Sequence, residues 1–341
     1  MKLFTDQVLE PLTHLEGLTT FLKGTDEPVE VPDIGSYNTM SPQAREELNA
    51  RRIAHLGSDL IIRTPQVRSV ILKVVHLILL NGPRSSGRCG LMISGESGTG
   101  KTTAAKAAMR YVYARYRRDH PDLDRLGRVP VVYVEVPPGS TGKALAIQFA
   151  RFLGLPVLPR DTLEYLLHLV SAGLIEAGTK LVVVDELHNL KRTNPGNSES
   201  VDVLKSLSNR IPATFVYVGI NIHAGPYLAD DRGRQVAGRF SLEQLANYGI
   251  ANEAERNLWD LIVGLFEERL GLISHEPGDL AHSAKYLHER TKGSIGSLAH
   301  LLFGAAQVLI FTGSAPENER ITREALDGIS LDLATEFGGS L

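Results

Sequence analysis

The chain has 341 residues, 43% of them hydrophobic, a formal net charge of −3 and a single cysteine, Cys89. That length and apolar content suffice for one large core plus a smaller satellite, whereas the charge gives no global electrostatic case for nucleic acid and confines any DNA contact to a local patch. One cysteine excludes an internal disulfide and a cysteine-rich zinc site and fits a reducing compartment, and with no stretch reaching the roughly 18 uncharged residues of a membrane span, a cytoplasmic protein without membrane contact is expected.

The first 62 residues read as an N-terminal extension, irregular at first and punctuated by Pro11, Pro28, Pro32 and Gly35,. A helix start follows at Ser41, with Pro42 at the first helical position of SPQAREELNARRIAHLG,. After a turn near Thr64 and Pro65, a second helix is expected from Gln66 to Leu80. Its apolar run SVILKVVHLILL carries Lys73 and His76 and reads as buried helix.

Leu91 to Thr103, LMISGESGTGKTT, is a short apolar strand that breaks into a glycine-rich loop and reopens as an alanine-rich helix. That order is what a phosphate cradle requires. Gly95, Gly98 and Gly100 allow positive φ, so that the N–H groups of Glu96, Ser97, Thr99 and their neighbours turn towards an anion at the positive end of the helix. Lys101 is placed to reach the β- and γ-phosphates and the Thr102 hydroxyl to sit on Mg²⁺, while Thr103 begins the helix behind them.

Downstream, strands and helices alternate. Val129 to Val136 is rich in β-branched residues, as a central parallel strand should be,. The next helix takes Ser140 or Thr141 as its cap and ends at Gly154, and another is expected to open on an Asp161 cap with Glu164 three residues on. The strand KLVVVDELHNL then ends in two acids. At the carboxyl end of a parallel sheet both would lie in the ligand crevice, Asp185 holding Mg²⁺ and Glu186 orienting and deprotonating a water. A further strand, ATFVYVGIN, ends at Asn221, a candidate sensor of the γ-phosphate. Arg232, Arg234 and Arg239 follow within one segment. From Ser241 the pattern is helices only, with glycines between amphipathic segments and Trp259 in a core stripe,. The expected architecture is therefore α/β: a short helical N-terminal extension (1–62), a P-loop core with a parallel sheet flanked by helices (63–240) and a C-terminal α-helical lid (241–341).

Phosphate loop, adjacent Asp185 and Glu186, Asn221, the arginine segment and the helical C-terminal region together resemble an AAA+ ATPase. YNTMSPQAREELNARR, RTPQV, GESGTGKT, VEVPPGST, VDELHNL, VGIN, GRF at Gly238 to Phe240 and KGSIGSLAHLL resemble more narrowly the TniB/TnsC group of ATP-dependent transposition regulators. The resemblance implies ATP bound with Mg²⁺ between subunits, a homo-oligomeric ring or filament on duplex DNA, and recruitment of a DDE transposase (TniA/TnsB-like) with a TniQ-like target selector. It makes Lys101, Glu186, Asn221 and Arg239 the catalytic set, with Arg239 as an arginine finger supplied in trans and Arg234 in reserve. Candidate DNA contacts are Ser140, Thr141 and Lys143, with Lys191 and Arg192 behind them. This chain departs from the AAA+ pattern in lacking an arginine at the start of the lid helix, where only Lys292 and His300 stand nearby. A nucleotide-gated protein-interaction switch, or an initiator or helicase-loader ATPase, would share the same core.

Overall fold

The computed structural model describes residues 10–190, 199–222, 238–313 and 315–336. Its strands are β1 (Gly90–Gly95), β2 (Val131–Glu135), β3 (Leu181–Asp185), β4 (Thr214–Ile220) and β5 (Phe240–Gln244), joined in one all-parallel sheet of order β2-β3-β4-β1-β5. Every residue of β1 and β3 is buried, which is why their sequences read as continuous apolar runs rather than alternating ones. β4 lies between the strand that leads to the glycine loop and the strand that ends in Asp185. The crevice of the sheet opens over these strands' carboxyl ends.

The helices before and around the sheet are α1 (Leu15–Lys23), α2 (Ile34–Thr39), α3 (Pro42–Leu56), α4 (Pro65–Asn81), α5 (Lys101–Asp119), α6 (Gly142–Phe152), α7 (Leu163–Glu176) and α8 (Glu199–Arg210). The expected start signals hold at α3 and α4: the Ser41 hydroxyl accepts from Ala44 N–H, and the Thr64 hydroxyl from Val67 N–H, each ahead of a proline in the first turn,. At α7 the cap is Thr162, whose hydroxyl accepts from Tyr165 N–H. Asp161 instead turns back and accepts from Leu158 N–H at 2.7 Å, so the expected Asp161 cap is corrected by one residue.

Two further expectations are overturned. The helical extension is not irregular before Ser41: it contains α1 and α2, and α1 buries Leu18, Phe21 and Leu22 in the main core. Arg110 on α5 stacks its guanidinium 4.1 Å over the Phe21 ring and donates from Nε to the Phe21 carbonyl, a cation–π contact that fastens the segment to the core. The chain beyond Ser241 is also not helix only, since β5 extends the sheet to Gln244. FSLEQ is an edge strand with exposed positions, so it lacks the apolar signature of its neighbours. Its Phe240 ring stacks on Tyr217 with centroids 4.5 Å apart and covers Gly90, where a Cβ would lie 2.1 Å from a ring carbon.

A second core forms from α9 (Glu253–Glu267), α10 (Ala284–Thr291), α11 (Ile295–Phe311) and α12 (Arg323–Asp327), with a last short helix, α13 (Leu333–Glu336). Trp259, 1% exposed, lies inside it and donates its indole N–H to the Ala284 carbonyl at 2.8 Å. Leu56 from α3 and Ile62 also pack there, so the N-terminal helices support the C-terminal layer. Arg52 of α3 is paired with Glu319, both side chains at most 2% exposed. Arg52 also donates to the Gly271 carbonyl at 2.8 Å and to Asn49 Oδ1 at 2.9 Å, so neither charge is left without partners. Breaking such a pair strands one buried charge and costs about 3–5 kcal/mol. Glu319→Ala should therefore lower the urea midpoint by a stability loss of about 3 kcal/mol or more; a midpoint unchanged from wild type would show that the pair does not clamp the layers.

Candidate nucleotide site

The glycine loop joins β1 to α5. Gly98 (φ +77°) and Gly100 (φ +83°) occupy the left-handed region that L side chains resist,. At Gly95 a Cβ would lie 2.3 Å from the Leu245 carbonyl, so the close exit of β5 also demands a glycine there. Thr99 Oγ1 donates to the Glu96 carbonyl at 2.9 Å, and Lys101 Nζ donates to the same oxygen at 2.6 Å. Glu96, Ser97 and Gly98 stand exposed at the rim, while Thr99 and Lys101 are buried. Burial pushes the Lys101 ammonium below its ordinary pKa, against the opposing pull of Glu186, Asp185 and Glu96,. α5 begins at Lys101 with Gly100 in the capping position and no side-chain cap, which leaves first-turn N–H groups for an anion.

Across the intervening strand, Asp185 is 1% exposed. Its Oδ2 accepts from the Thr102 hydroxyl at 2.8 Å and from the Tyr133 hydroxyl at 3.1 Å, and its Oδ1 accepts from Glu186 N–H at 2.7 Å. Burial, then the Asp185 charge, pushes the Tyr133 phenol far up, so it remains a donor to the carboxylate. Glu186 takes φ +56°, in the left-handed region uncommon for residues with side chains,. Its Oε2 lies 3.2 Å from His188 Nε2, and Ile220 N–H donates to His188 Nδ1 at 3.3 Å. Asn221 follows Ile220 directly, exposed and at φ +47°.

The C-terminal layer meets the loop from its other side. The Gly98 carbonyl accepts from Gly296 N–H at 2.9 Å and from the Ser294 hydroxyl at 3.2 Å. Ser294 also caps α11 by accepting from Ser297 N–H. A Cβ at Gly296 would press within 3.1 Å of that carbonyl. Beside this contact a mainly apolar cavity runs between Thr64, Gln66 and Val67 on one wall, Ile295 and Ala299 on another, and Thr99, Gly100 and Thr103 at its floor. The RTPQV segment thus forms a wall of the site, and Thr103 faces the cavity as well as starting the helix.

The chemistry available is a cradle for polyphosphate, a buried cation, and two oxygen ligands, Thr102 and Asp185, suited to Mg²⁺ that takes its other ligands from phosphate and water. Among the described residues, no group of three or more His, Cys, Asp and Glu side chains could hold a metal. Residue chemistry alone gave no signal for Tyr133, His188, Ser294 or Gly296.

The peripheral candidates separate. Arg239 donates to Asn209 Oδ1 at 2.7 Å, and its carbonyl accepts from Gly90 N–H at the start of β1. It therefore sits a full strand, roughly 17 Å at about 3.3 Å per residue, from the glycine loop of its own chain. Ser140 is buried and bridged to Leu190, Thr141 caps α6 through Ala144 N–H, and Lys143 donates to the Pro159 carbonyl at 3.2 Å. The choice of cap is thereby Thr141, and Ser140 is not available on the surface as a DNA contact. Lys191, Arg192, Arg232 and Arg234 lie outside the described residues, in which no helix is long and apolar enough to cross a membrane.

Among solved structures, the chain is similar to the Orc1 protein of Aeropyrum pernix in complex with DNA, with TM-score 0.54 and 18% identity over 77% of this chain and 63% of that one. It is also similar to the Orc2 protein of Aeropyrum pernix in its ADPNP–ADP complexes (0.56, 17%, 83% and 71%) and to Cdc6p of Pyrobaculum aerophilum (0.52, 17%, 82% and 71%). The chain thus spans less than two thirds of the Orc1 chain it matches. These likenesses establish an AAA+ P-loop fold. None of the curated proteins matches. The family model described as "Bacterial TniB protein" matches residues 52–250, more than half of the sequence, and the chain belongs to the TniB family.

Proposed function

We propose that this chain is an ATPase acting with DNA: it binds ATP and Mg²⁺, assembles on duplex DNA, hydrolyses ATP when a neighbouring subunit completes the site, and in doing so regulates transposition. The observation that carries the reading is the 2.8 Å contact between Thr102 and Asp185, which brings the phosphate loop and the acidic strand to one point. The family and the AAA+ fold support it. The apolar cavity beside Thr99 and Gly100 suits the adenine base,.

In this reading the loop N–H groups and Lys101 hold the phosphates, and Thr102 and Asp185 hold Mg²⁺, which would neutralise charge on the transferring phosphoryl group. Tyr133 orients Asp185 as a metal ligand. Glu186 takes the proton of the attacking water, and Asn221 contacts the γ-phosphate side. Arg239, remote from its own loop, serves a neighbour's site. A DDE transposase and a TniQ-like selector are the partners this assembly would engage.

Lys101→Ala should weaken ATP binding at least about 100-fold, since one charge-assisted contact is worth about 3 kcal/mol; undiminished binding in a fluorescence titration would defeat the nucleotide assignment. Tyr133→Phe should leave folding intact and raise the Mg²⁺ concentration for half-maximal turnover roughly tenfold, as losses beside metal ligands do; an unchanged Mg²⁺ titration would remove Tyr133 from the metal site. Arg239→Ala should lose about 10³-fold in turnover, the scale of an arginine finger, and mixing it with Lys101→Ala should restore activity, because each variant supplies what the other lacks. Mixtures as inactive as either variant would rule out the trans arrangement. With a non-hydrolysable ATP analogue and duplex DNA, electron microscopy should show salt-sensitive, sequence-tolerant assemblies; monomers alone would overturn the DNA reading and favour a protein-interaction switch.

A further inference from the structure

Between the acidic strand and the strand that carries Asn221 stands one side chain with a partner on each. His188 lies on the short 3-10 turn Leu187–Asn189. The turn is fixed on both sides: Leu187 is 2% exposed, and Asn189 donates to the Val136 carbonyl at 3.0 Å while its own carbonyl accepts from Gly139 N–H. The ring therefore has little freedom to leave its place. A backbone N–H can only donate, so the Ile220 contact makes Nδ1 an acceptor and leaves the hydrogen of the neutral ring on Nε2, 3.2 Å from Glu186 Oε2,. Gly219 gives room for this approach, since a Cβ there would come within 3.2 Å of His188 Nδ1 and of Leu187 N.

We infer that His188 is the positioning residue for Glu186 and couples it to the end of β4, so that the geometry of the hydrolytic carboxylate follows the position of the strand tip bearing Asn221. This rests on the hydrolytic reading of the site. Glu186 and Asn221 each hold a left-handed backbone conformation uncommon for residues with side chains,, and His188 joins the two turns through one imidazole. When Asn221 meets the γ-phosphate, a shift of the β4 end is transmitted to Nδ1 and thence to Glu186. The hydrogen bond restrains the carboxylate without removing it from the cleft it shares with Thr102 and Asp185.

Two substitutions separate the ring's two roles. His188→Asn keeps an acceptor near the Nδ1 position for Ile220 N–H and loses the Nε2 donor; His188→Gln keeps a donor near Nε2 and loses the acceptor. We expect His188→Asn to retain the wild-type thermal midpoint and ATP affinity while kcat falls about 10- to 100-fold, the scale of a misplaced catalytic group. His188→Gln, which keeps the donor but cuts the link to Ile220, should lower kcat by about 3- to 10-fold at saturating ATP, less than His188→Asn, and an undiminished kcat would overturn the coupling to β4. In a Glu186→Gln background, His188→Asn should cause no further loss, because the two act as one unit. If Glu186→Gln stalls turnover but His188→Asn leaves kcat unchanged, or if its loss is the same in both backgrounds, the positioning role is overturned and the hydrolytic reading stands. If Glu186→Gln itself turns over normally, the hydrolytic reading falls and takes this inference with it.

Discussion

The site depends on two strands that are not neighbours keeping a fixed offset. β4 separates β1 from β3, yet the first turn of α5 and the end of β3 meet through the Thr102 hydroxyl and the Asp185 carboxylate. A carboxylate as buried as Asp185 is costly unless its oxygens are engaged, and three donors engage them: Thr102, Tyr133 and the Glu186 amide. Those donors come from a helix, the adjacent strand and the chain's own turn. The Asp185 carboxylate is thus held by the same contacts that hold the sheet's carboxyl edge together, and a slip of β3 against β4 would carry it away from the Thr102 hydroxyl.

The loop is held from a second direction by a contact that carries no charge. Where an AAA+ lid would place an arginine over the phosphates, this chain brings Ser294 and the amide of Gly296 to the Gly98 carbonyl. That arrangement answers to the shape of the loop backbone rather than to the charge of what the loop holds. It also explains the small residues of KGSIGS: at Gly293 a Cβ would lie 1.9 Å from the Tyr248 carbonyl, and Gly296 packs directly on Gly98. The buried Arg52 and Glu319 pair then ties α3 to the same C-terminal layer, so that the N-terminal helices and the loop contact are mechanically connected.

What was legible in the sequence was local. A strand, a glycine-rich turn and a helix in succession can be read from one stretch, and so can an apolar strand ending in two acids, because each chemical requirement falls on adjacent residues. β5 escaped notice because an edge strand buries little and FSLEQ has no apolar run. α1 escaped because its amphipathic pattern, Leu15, Leu18, Phe21 and Leu22, lasts only nine residues and no side-chain cap at His14 marks its start. Tyr133, His188 and Ser294 acquire their roles only through register and turn geometry: Tyr133 reads as one more strand aromatic until β2 is set against β3. Asp161 was misread as a cap because Thr162 beside it offers the same chemistry, and the backbone decided between them.

Among the described residues, negative charge outweighs positive at the cleft. Glu135, Asp185 and Glu186 line it, Glu96 acts on Lys101 from the loop rim, and Glu135 is raised above the ordinary carboxylate range first by burial and then by Asp185 and Glu186. Against them stand Lys101, depressed by burial, and Lys106, already paired with Asp59 at 2.8 Å. Among the described residues the cleft is thus short of cations, the contact of Ser294 and Gly296 with the loop supplies none, and a bound triphosphate would add more negative charge. Thr102 and Asp185 would hold a Mg²⁺ that offsets the ground-state charge, whereas charge developing on a transferring phosphoryl group would call for a further cation placed at that moment. In the proposed reading Arg239, a strand's length from its own loop, would meet that requirement from a neighbouring copy, and assembly would then be a condition of the chemistry rather than an accompaniment to it.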